Sequence, residues 1–290
     1  MKVLVTAATG TVGAHVVHAL QERGVPVRAF VRDRGRAAAR LGPGVELVAG
    51  DFADRGSLDR ALHGVQRLYL ACGNVPGQLA HERRVIDAAR AAGVERVVKL
   101  SGPSVAPSLL FERWHAELER ELHDSGLPAV VLRPSSFMTN LLASAEAVAQ
   151  TGRLFAPAGG AVISFVDPRD VGEAAAAALT ARDRPAGVQA LTGPEALSFA
   201  QVAHELSVAT GRRVEYVDIP GEAALEALTG AGLPPAVAEF VVGMFAAQRA
   251  GAMAHMTDAV ERLTGRPPRP FAQFAREHAA TFGGAAVAAA

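Results

Sequence analysis

The chain has 290 residues, half of them hydrophobic, enough for one large domain or a domain with a smaller lobe. Its 29 basic and 29 acidic residues cancel, which argues against the basic surface that a nucleic-acid partner or an anionic membrane requires. With Cys72 as the sole cysteine, no internal disulfide and no cysteine-built metal site can form.

The first 134 residues alternate between short apolar runs and helix-period stretches. "KVLVTA" predicts a strand. In "TVGAHVVHALQERG", Val12, Val16, Val17 and Leu20 share a helix face that Gly24 ends. "PVRAFVR" and "VELVAGD" predict the second and third strands, followed by a short helix in "SLDRALHG" with Ser57 as N-cap. Strands in "QRLYLACG", "ERVVKLSG" and "PAVVLRP" then alternate with helices in "GQLAHERRVIDAARAAG" and "LFERWHAELERELHDSG". The strands are continuous apolar runs, as expected of parallel strands buried on both faces. Strand–helix repeats with short connections build a right-handed, doubly wound α/β sheet of the Rossmann type.

After Pro134 the regularity loosens. "SSFMTNLLASAEAVAQTG" predicts a helix, and "AVISFVD" and "GVQALTG" predict strands near 162–166 and 188–192 that return to the main sheet. Asp170 is expected to open the Ala-rich helix between them. Ser198 and Gly211 bracket a further helix, "RRVEYVDIP" predicts a strand, and the rest is mainly helical with a frayed "GGAAVAAA" tail. The expected division is a dinucleotide-binding domain over 1–155 and a smaller, mainly helical substrate lobe over 156–290. The single cysteine predicts a reducing, cytoplasmic setting. The opening "MKVLVTAATG" lacks the apolar stretch of about 7–15 residues that marks a signal peptide. The apolar run from Leu154 to Val166 is broken by Pro157 and two glycines, and is too short for a membrane span of about 20 residues.

The loop Ala7-Ala8-Thr9-Gly10-Thr11-Val12-Gly13 leaves a predicted strand and opens a predicted helix. In that context free N–H groups at the helix N-terminus point at a pyrophosphate, helped by the helix dipole. Gly10 allows close approach to the phosphates, and Gly13 allows the helix to pack close on the sheet. Ala7 stands where a first glycine is usual, which is tolerable if its φ stays negative. A carboxylate about 20 residues on would hold the ribose of NAD. Here Arg32 stands nineteen residues after Gly13, with Arg34 and Arg36 nearby, and a guanidinium suits the 2′-phosphate of NADP. Asp33 is adjacent, and a solvated basic face is the alternative. Asp51 and Phe52 are placed to flank the adenine. Ala71, Cys72 and Gly73 end a strand at the same edge of the sheet, where ligands of such sheets sit. NADP(H) is the expected cofactor.

The motifs "TAATGTVG", "VRD", "GDF", "VVKLSG", "HAELERELHDSGLPAVVLRPSSFMTN", "DPRDVGEAAAAAL" and "LTGPEALSFAQVA" together resemble the NmrA-like atypical short-chain dehydrogenases. That group includes triphenylmethane reductase-like and quinone reductase-like enzymes, and also non-catalytic sensors. Ordinary short-chain dehydrogenases use a Tyr followed four residues later by a Lys. Here Tyr69 and Tyr216 are followed at that spacing by Gly73 and Pro220, and the only lysines are Lys2 and Lys99. The pair does not exist in this chain. His115 and Glu119 share a helix face at i,i+4, and the resemblance implies the same His-x-x-x-Glu in related members. His115 is a candidate proton donor and Glu119 a candidate orienter, with a plain polar pair as the alternative. Trp114 is a candidate pocket wall. Lys99 interrupts a strand that should be buried and needs a partner. A structural ion pair is the expected explanation, and Ser101, on the same face near the ligand edge, is expected to touch the cofactor.

Pro134, Ser135 and Phe137 are placed to line the nicotinamide. Phe137, Met138, Asn140, Phe155 and Phe165 predict a mostly apolar substrate pocket. By resemblance this suits a flat hydrophobic substrate, a quinone or aromatic ketone, in a monomer or homodimer. His15 and His18 have no third ligand and are read as ordinary helix residues, so no metal site is expected. The leading reading is an NADPH-dependent reductase that works without the Tyr–Lys pair. The alternatives are a non-catalytic NADP-binding sensor, which has no need of an apolar pocket, and a non-redox cyclase or dehydratase on the same scaffold.

Overall fold

The structure is a computed structural model and describes residues 1–75, 77–182 and 187–284. Strand β1 (Val3–Val5) leads through the glycine loop into α1 (Gly13–Glu22), followed by β2 (Val27–Val31), α2 (Arg34–Leu41), β3 (Glu46–Ala49) and α3 (Arg55–Leu62). Then come β4 (Arg67–Leu70), α4 (Gln78–Ala91), β5 (Arg96–Leu100), α5 (Leu110–Asp124) and β6 (Ala129–Pro134). A 3₁₀ segment, Met138–Ser144, runs into α6 (Ala145–Thr151), β7 (Arg153–Ala156), β8 (Val162–Ile163), α7 (Pro168–Thr180), β9 (Gly187–Leu191) and β10 (Leu197–Ser198). The chain closes with α8 (Phe199–Thr210), β11 (Glu215–Asp218), α9 (Gly221–Gly230), α10 (Pro235–Arg249), α11 (Ala259–Thr264), α12 (Phe271–Glu277) and α13 (Ala279–Gly283). The Ala-rich tail beyond Gly284 lies outside the described residues. No described helix is long and apolar enough to cross a membrane.

Seven parallel strands form the main sheet in the order β3-β2-β1-β4-β5-β6-β9, the doubly wound Rossmann arrangement expected from the strand–helix alternation. Val3, Leu4 and Val5 have no exposed surface, because helices cover both faces. One face packs on α1 and α7, the other on α3, α4 and α5. The α1–α7 contact is close because Gly172 has no side chain: a Cβ there would lie 2.5 Å from the Cβ of His15. A third apolar cluster, around Met138, Phe165, Phe199, Phe271 and Phe274, is separate from the two that cover the sheet.

Several sequence expectations shift. β9 joins the main sheet beside β6, but the stretch near 162–166 does not enter it. β8 pairs antiparallel with β10, and only Val166 touches the sheet end, through a bridge to Phe137. The N-cap of α3 is Asp54, whose carboxylate accepts the Gly56 N–H, while Ser57 lies inside the helix. Likewise Asp167 caps α7 with Pro168 at its first position, and Asp170 sits in the first turn bonded to Arg269. α2 carries no apolar periodicity strong enough to announce it. It forms because Asp33 caps it, accepting the Arg36 amide at 3.0 Å.

Candidate active site

The carboxyl ends of β1 and β4 sit at the point where the strand order reverses, the place for a ligand in an open α/β sheet. Thr6 ties these two ends together. Its hydroxyl donates to the Ala71 carbonyl at 2.9 Å and accepts the Ala71 N–H at 2.9 Å. The loop from Ala7 to Gly13 turns back on itself, with the Gly10 N–H donating to the Ala7 carbonyl at 2.8 Å. A Cβ on Gly13 would lie 2.1 Å from that same carbonyl oxygen, so only glycine lets α1 start so close to the strand. The N-cap, Val12, has no side-chain bond to the helix, and no acidic residue occupies the first turn. Thr9 and Thr11 are exposed above it. This N-terminus fits a pyrophosphate, whose oxygens take the place of a capping side chain.

Ala7 departs from expectation. Its φ is +46°, in the left-handed region that a residue with a Cβ enters at a cost of about 1–2 kcal/mol. The turn that brings the Ala7 carbonyl to both Gly10 and Gly13 imposes it.

Arg32 follows β2 and is exposed, near enough to the half-buried Cys72 to act on its thiol. Asp33, which would otherwise compete for a ribose, has its carboxylate engaged as the α2 cap. Arg34 and Arg36 lie in the first turn of α2. Asp51 turns its carboxylate to the Ala53 N–H at 2.7 Å. Phe52 packs between Phe30 and His81, with ring centroids 5.5 and 5.9 Å away. Gly73 is exposed at the end of β4. Burial, with the nearby Glu82 charge, pushes the Cys72 thiol up to about 11, so it carries no thiolate at neutral pH.

Tyr69 and Lys99 lie on neighbouring strands but face opposite layers. Tyr69 is packed with Val98 toward α1 and α7, and its hydroxyl is buried without a partner. Lys99 points to α4, where its ammonium meets Glu82 at 2.5 Å, both side chains having no exposed surface. Glu82 in turn accepts from Gln78 at 3.1 Å. Lys99 is thus a structural cation, as its place in a buried strand demands. Tyr216 is far along the chain in β11, donating to the Ala156 carbonyl and Asp218 at 3.0 Å.

His115 and Glu119 share the inner face of α5 but are not bonded to each other. Glu119 accepts the Ser101 hydroxyl at 2.5 Å and the Arg133 Nε–H at 3.0 Å, and Arg133 adds a second, shorter bond. Ser101, expected to touch the cofactor, is 5% exposed and has spent its hydroxyl on Glu119. Glu119 therefore does not orient His115. The imidazole is largely buried, and that burial with the Lys99 charge pulls its pKa down to about 3. His115 is neutral at physiological pH, so the imidazolium expected as proton donor is absent, and its Nδ1 is buried without a partner. Glu112, one turn earlier on α5, carries no motif and was not read from the sequence. Its carboxylate accepts the Val105 N–H at 2.9 Å and so holds the loop after β5, where Ser104 has a φ of +60°. The signal for it was its i,i+3 spacing from His115.

The expected substrate pocket divides. Met138 and Phe165 are fully or almost fully buried, Phe165 against Phe199 and Phe271, and belong to the third apolar cluster. Phe155 is 38% exposed on β7, whose alternation turns Leu154 and Ala156 inward and Phe155 away from that cluster. Pro134 is buried at the end of β6, and the Ser135 N–H donates to the Leu191 carbonyl at 2.8 Å. Phe137 is half-buried where β6 ends, and Asn140 is exposed one turn on. Trp114 stacks edge-on to Phe111 at 5.3 Å, and Phe111 meets Phe240 of α10 at 5.0 Å. α10 comes this close because Gly243 has no side chain; a Cβ there would meet Leu109 Cδ2 at 2.5 Å.

The sheet order, glycine loop and open helix N-terminus define a Rossmann-type dinucleotide-binding fold. Within that class the chain belongs to the NmrA-like family, which residues 1–264 match. It is 38% identical to an NAD(P)H azoreductase of Xenophilus azovorans, over 98% of this chain and all of the relative. It is 41% identical to a (4-alkanoyl-5-oxo-2,5-dihydrofuran-3-yl)methyl phosphate reductase of Streptomyces griseus, over 97% of this chain and 99% of the relative. The crystal structure of an NADPH-dependent quinone oxidoreductase from Escherichia coli, in complex with NADPH, superposes with a TM-score of 0.88 at 29% identity, over 96% of this chain and 99% of that one.

Proposed function

We propose that this chain is an NADPH-dependent reductase whose hydride acceptor is a flat, hydrophobic, aromatic molecule such as a quinone or an azo compound. The observation that carries this reading is the open N-terminus of α1 at the point where the strand order reverses, with the glycine loop leaving room there for a pyrophosphate. Thr11, Val12 and Gly13 present backbone amides to the pyrophosphate, and Gly10, whose own N–H closes the turn on Ala7, lets the backbone come close to it. Arg32 takes the 2′-phosphate, since Asp33 is committed to its helix cap. Asp51 and Phe52 flank the adenine, and Ala71, Cys72 and Gly73 pass beneath the ribose side. Pro134, Ser135 and Phe137 border the nicotinamide. Trp114, Phe137 and Asn140 form the acceptor side, with Phe111 and Phe240 packed behind Trp114, and the segment 156–290 is the acceptor-binding lobe. NADPH, when bound, supplies the hydride.

The chain's own part is to bind, orient and keep water out. A quinone or azo acceptor is electrophilic enough to be reduced without a tyrosine acid, so proximity and orientation supply most of the acceleration. The named activities of the azoreductase and quinone oxidoreductase relatives support this acceptor class. The test is to mix the purified chain with NADPH and a panel of quinones, azo dyes and aromatic ketones and to follow cofactor oxidation. Turnover of quinones or azo dyes is expected. Tight NADPH binding with no turnover across the panel would replace the reductase by the sensor reading.

A further inference from the structure

Around the loop between β5 and α5 the buried charges pair off and leave two groups over. Lys99 is matched by Glu82, and Arg133 by Glu119. Glu112 and His115, one helical turn apart, have no ion-pair partner among the described residues. Glu112 is 3% exposed. Its Oε2 accepts the Val105 N–H, but its Oε1 is buried and unbonded, as is Nδ1 of His115. Both side chains crowd one glycine: a Cβ on Gly102 would meet Glu112 Oε1 at 2.3 Å and His115 Cδ2 at 3.0 Å.

A buried carboxyl with no cation of its own favours the form that keeps its proton, and a buried imidazole beside a lysine favours the neutral ring. Burial raises the Glu112 carboxyl above its ordinary range, outweighing the Val105, Ala106 and Ser104 N–H groups and the Arg133 charge that favour the carboxylate, and burial with Lys99 lowers His115. The charges that act on the pair are Lys99 of β5, on His115, and Arg133 of β6, on Glu112, and each is already paired, with Glu82 of α4 and Glu119 of α5 respectively.

We propose that Glu112 and His115 form a carboxyl–imidazole couple that delivers the proton the reduced acceptor needs, His115 touching the acceptor and Glu112 resupplying His115. The proposal rests on the reductase reading above. Hydride transfer leaves the acceptor as an anion. That anion takes the N–H proton from one nitrogen of His115. The Glu112 O–H bond breaks as its proton passes to the other nitrogen, so the ring stays neutral throughout. The couple resets when water gives a proton to the acceptor-facing nitrogen of His115 and the other nitrogen returns its proton to Glu112. Two electrons come from the cofactor, and no other reductant is needed.

Holding the loop needs only an oxygen at position 112, whereas the couple needs a proton. Glu112→Gln separates the two, because its amide oxygen still accepts the Val105 N–H. With NADPH and a naphthoquinone, kcat is expected to fall by about a hundredfold. The KM for NADPH should not move, and the solvent deuterium effect on kcat should grow. Infrared spectra of the cofactor-free chain carrying isotope-labelled glutamate should contain a protonated carboxyl band at neutral pH that Glu112→Gln removes. A variant with full kcat and an unaltered pH profile, or a wild-type spectrum without that band, overturns the couple and leaves Glu112 as a loop clamp. If Glu112→Gln does not fold, a wild-type spectrum without the band still overturns the couple, and a band whose frequency is unmoved by His115→Asn does so too. A wild-type chain that reduces nothing refutes the reductase reading instead, and the band still reports on the couple.

Discussion

Glu119 stands one helical turn beyond His115 on α5, but its carboxylate reaches across to Arg133 on β6 and not back to the imidazole. Helical spacing brought the two side chains onto one face. Charge decided the partner, since a neutral ring cannot compete with a guanidinium for a carboxylate.

Removing that carboxylate should therefore register as stability. Glu119→Ala leaves Arg133 without its ion pair and Ser101 without its acceptor. A loss of about 2 kcal/mol is expected, less than for a fully buried pair because the arginine side chain is 28% exposed. A denaturant midpoint that drops at constant slope is the measurement.

The pH dependence of His115 has a definite sign. Its folded value is near 3 against an ordinary value of 6.5, so between those limits the unfolded chain binds more protons. The contribution of His115 to stability is complete above pH 6.5 and is lost progressively as pH falls toward 3. Ring resonances of His115 should show no titration near neutral pH, and His115→Asn should flatten the acid side of the stability curve. A midpoint near neutrality by nuclear magnetic resonance would contradict the burial argument.

Arg32→Ala should weaken NADPH by about tenfold or more, the value of one charge-assisted bond to a phosphate, and leave NADH nearly unchanged. Calorimetric titration with both cofactors measures the ratio. Equal losses would remove Arg32 from the 2′-phosphate.

Ala7 sits at a φ of +46°. Ala7→Gly relieves the strain, and a gain of about 1 kcal/mol is expected after the extra backbone entropy of glycine is set against it. The melting temperature should rise with NADPH affinity retained. Gly13→Ala is the opposite case. Its methyl would overlap the Ala7 carbonyl, which can only be relieved by moving backbone, so NADPH binding should be lost.

The alternation of apolar strand and amphipathic helix was enough to specify the parallel sheet, its doubly wound class and the nucleotide loop, because these are local patterns repeated along the chain. The missing Tyr–Lys pair also followed from residue spacing alone. Lys99 announced its need for a partner simply by interrupting an apolar strand. Which carboxylate would meet it was invisible, since Glu82 comes from another helix.

Only the tertiary structure decided the rest. Met138 and Phe165 look like pocket residues in sequence, yet packing of α8 and α12 turns them into core. The stretch near 162–166 is strand-like, but β10 claims β8 before the main sheet can. The sign of φ at Ala7 depends on how closely α1 packs against the loop. Likewise, the neutral state of His115, the commitment of Glu119 and the unpaired carboxyl of Glu112 arise from burial and from charges on other elements. Periodicity records which face a side chain occupies, whereas its partner and its protonation depend on what the fold brings to that face.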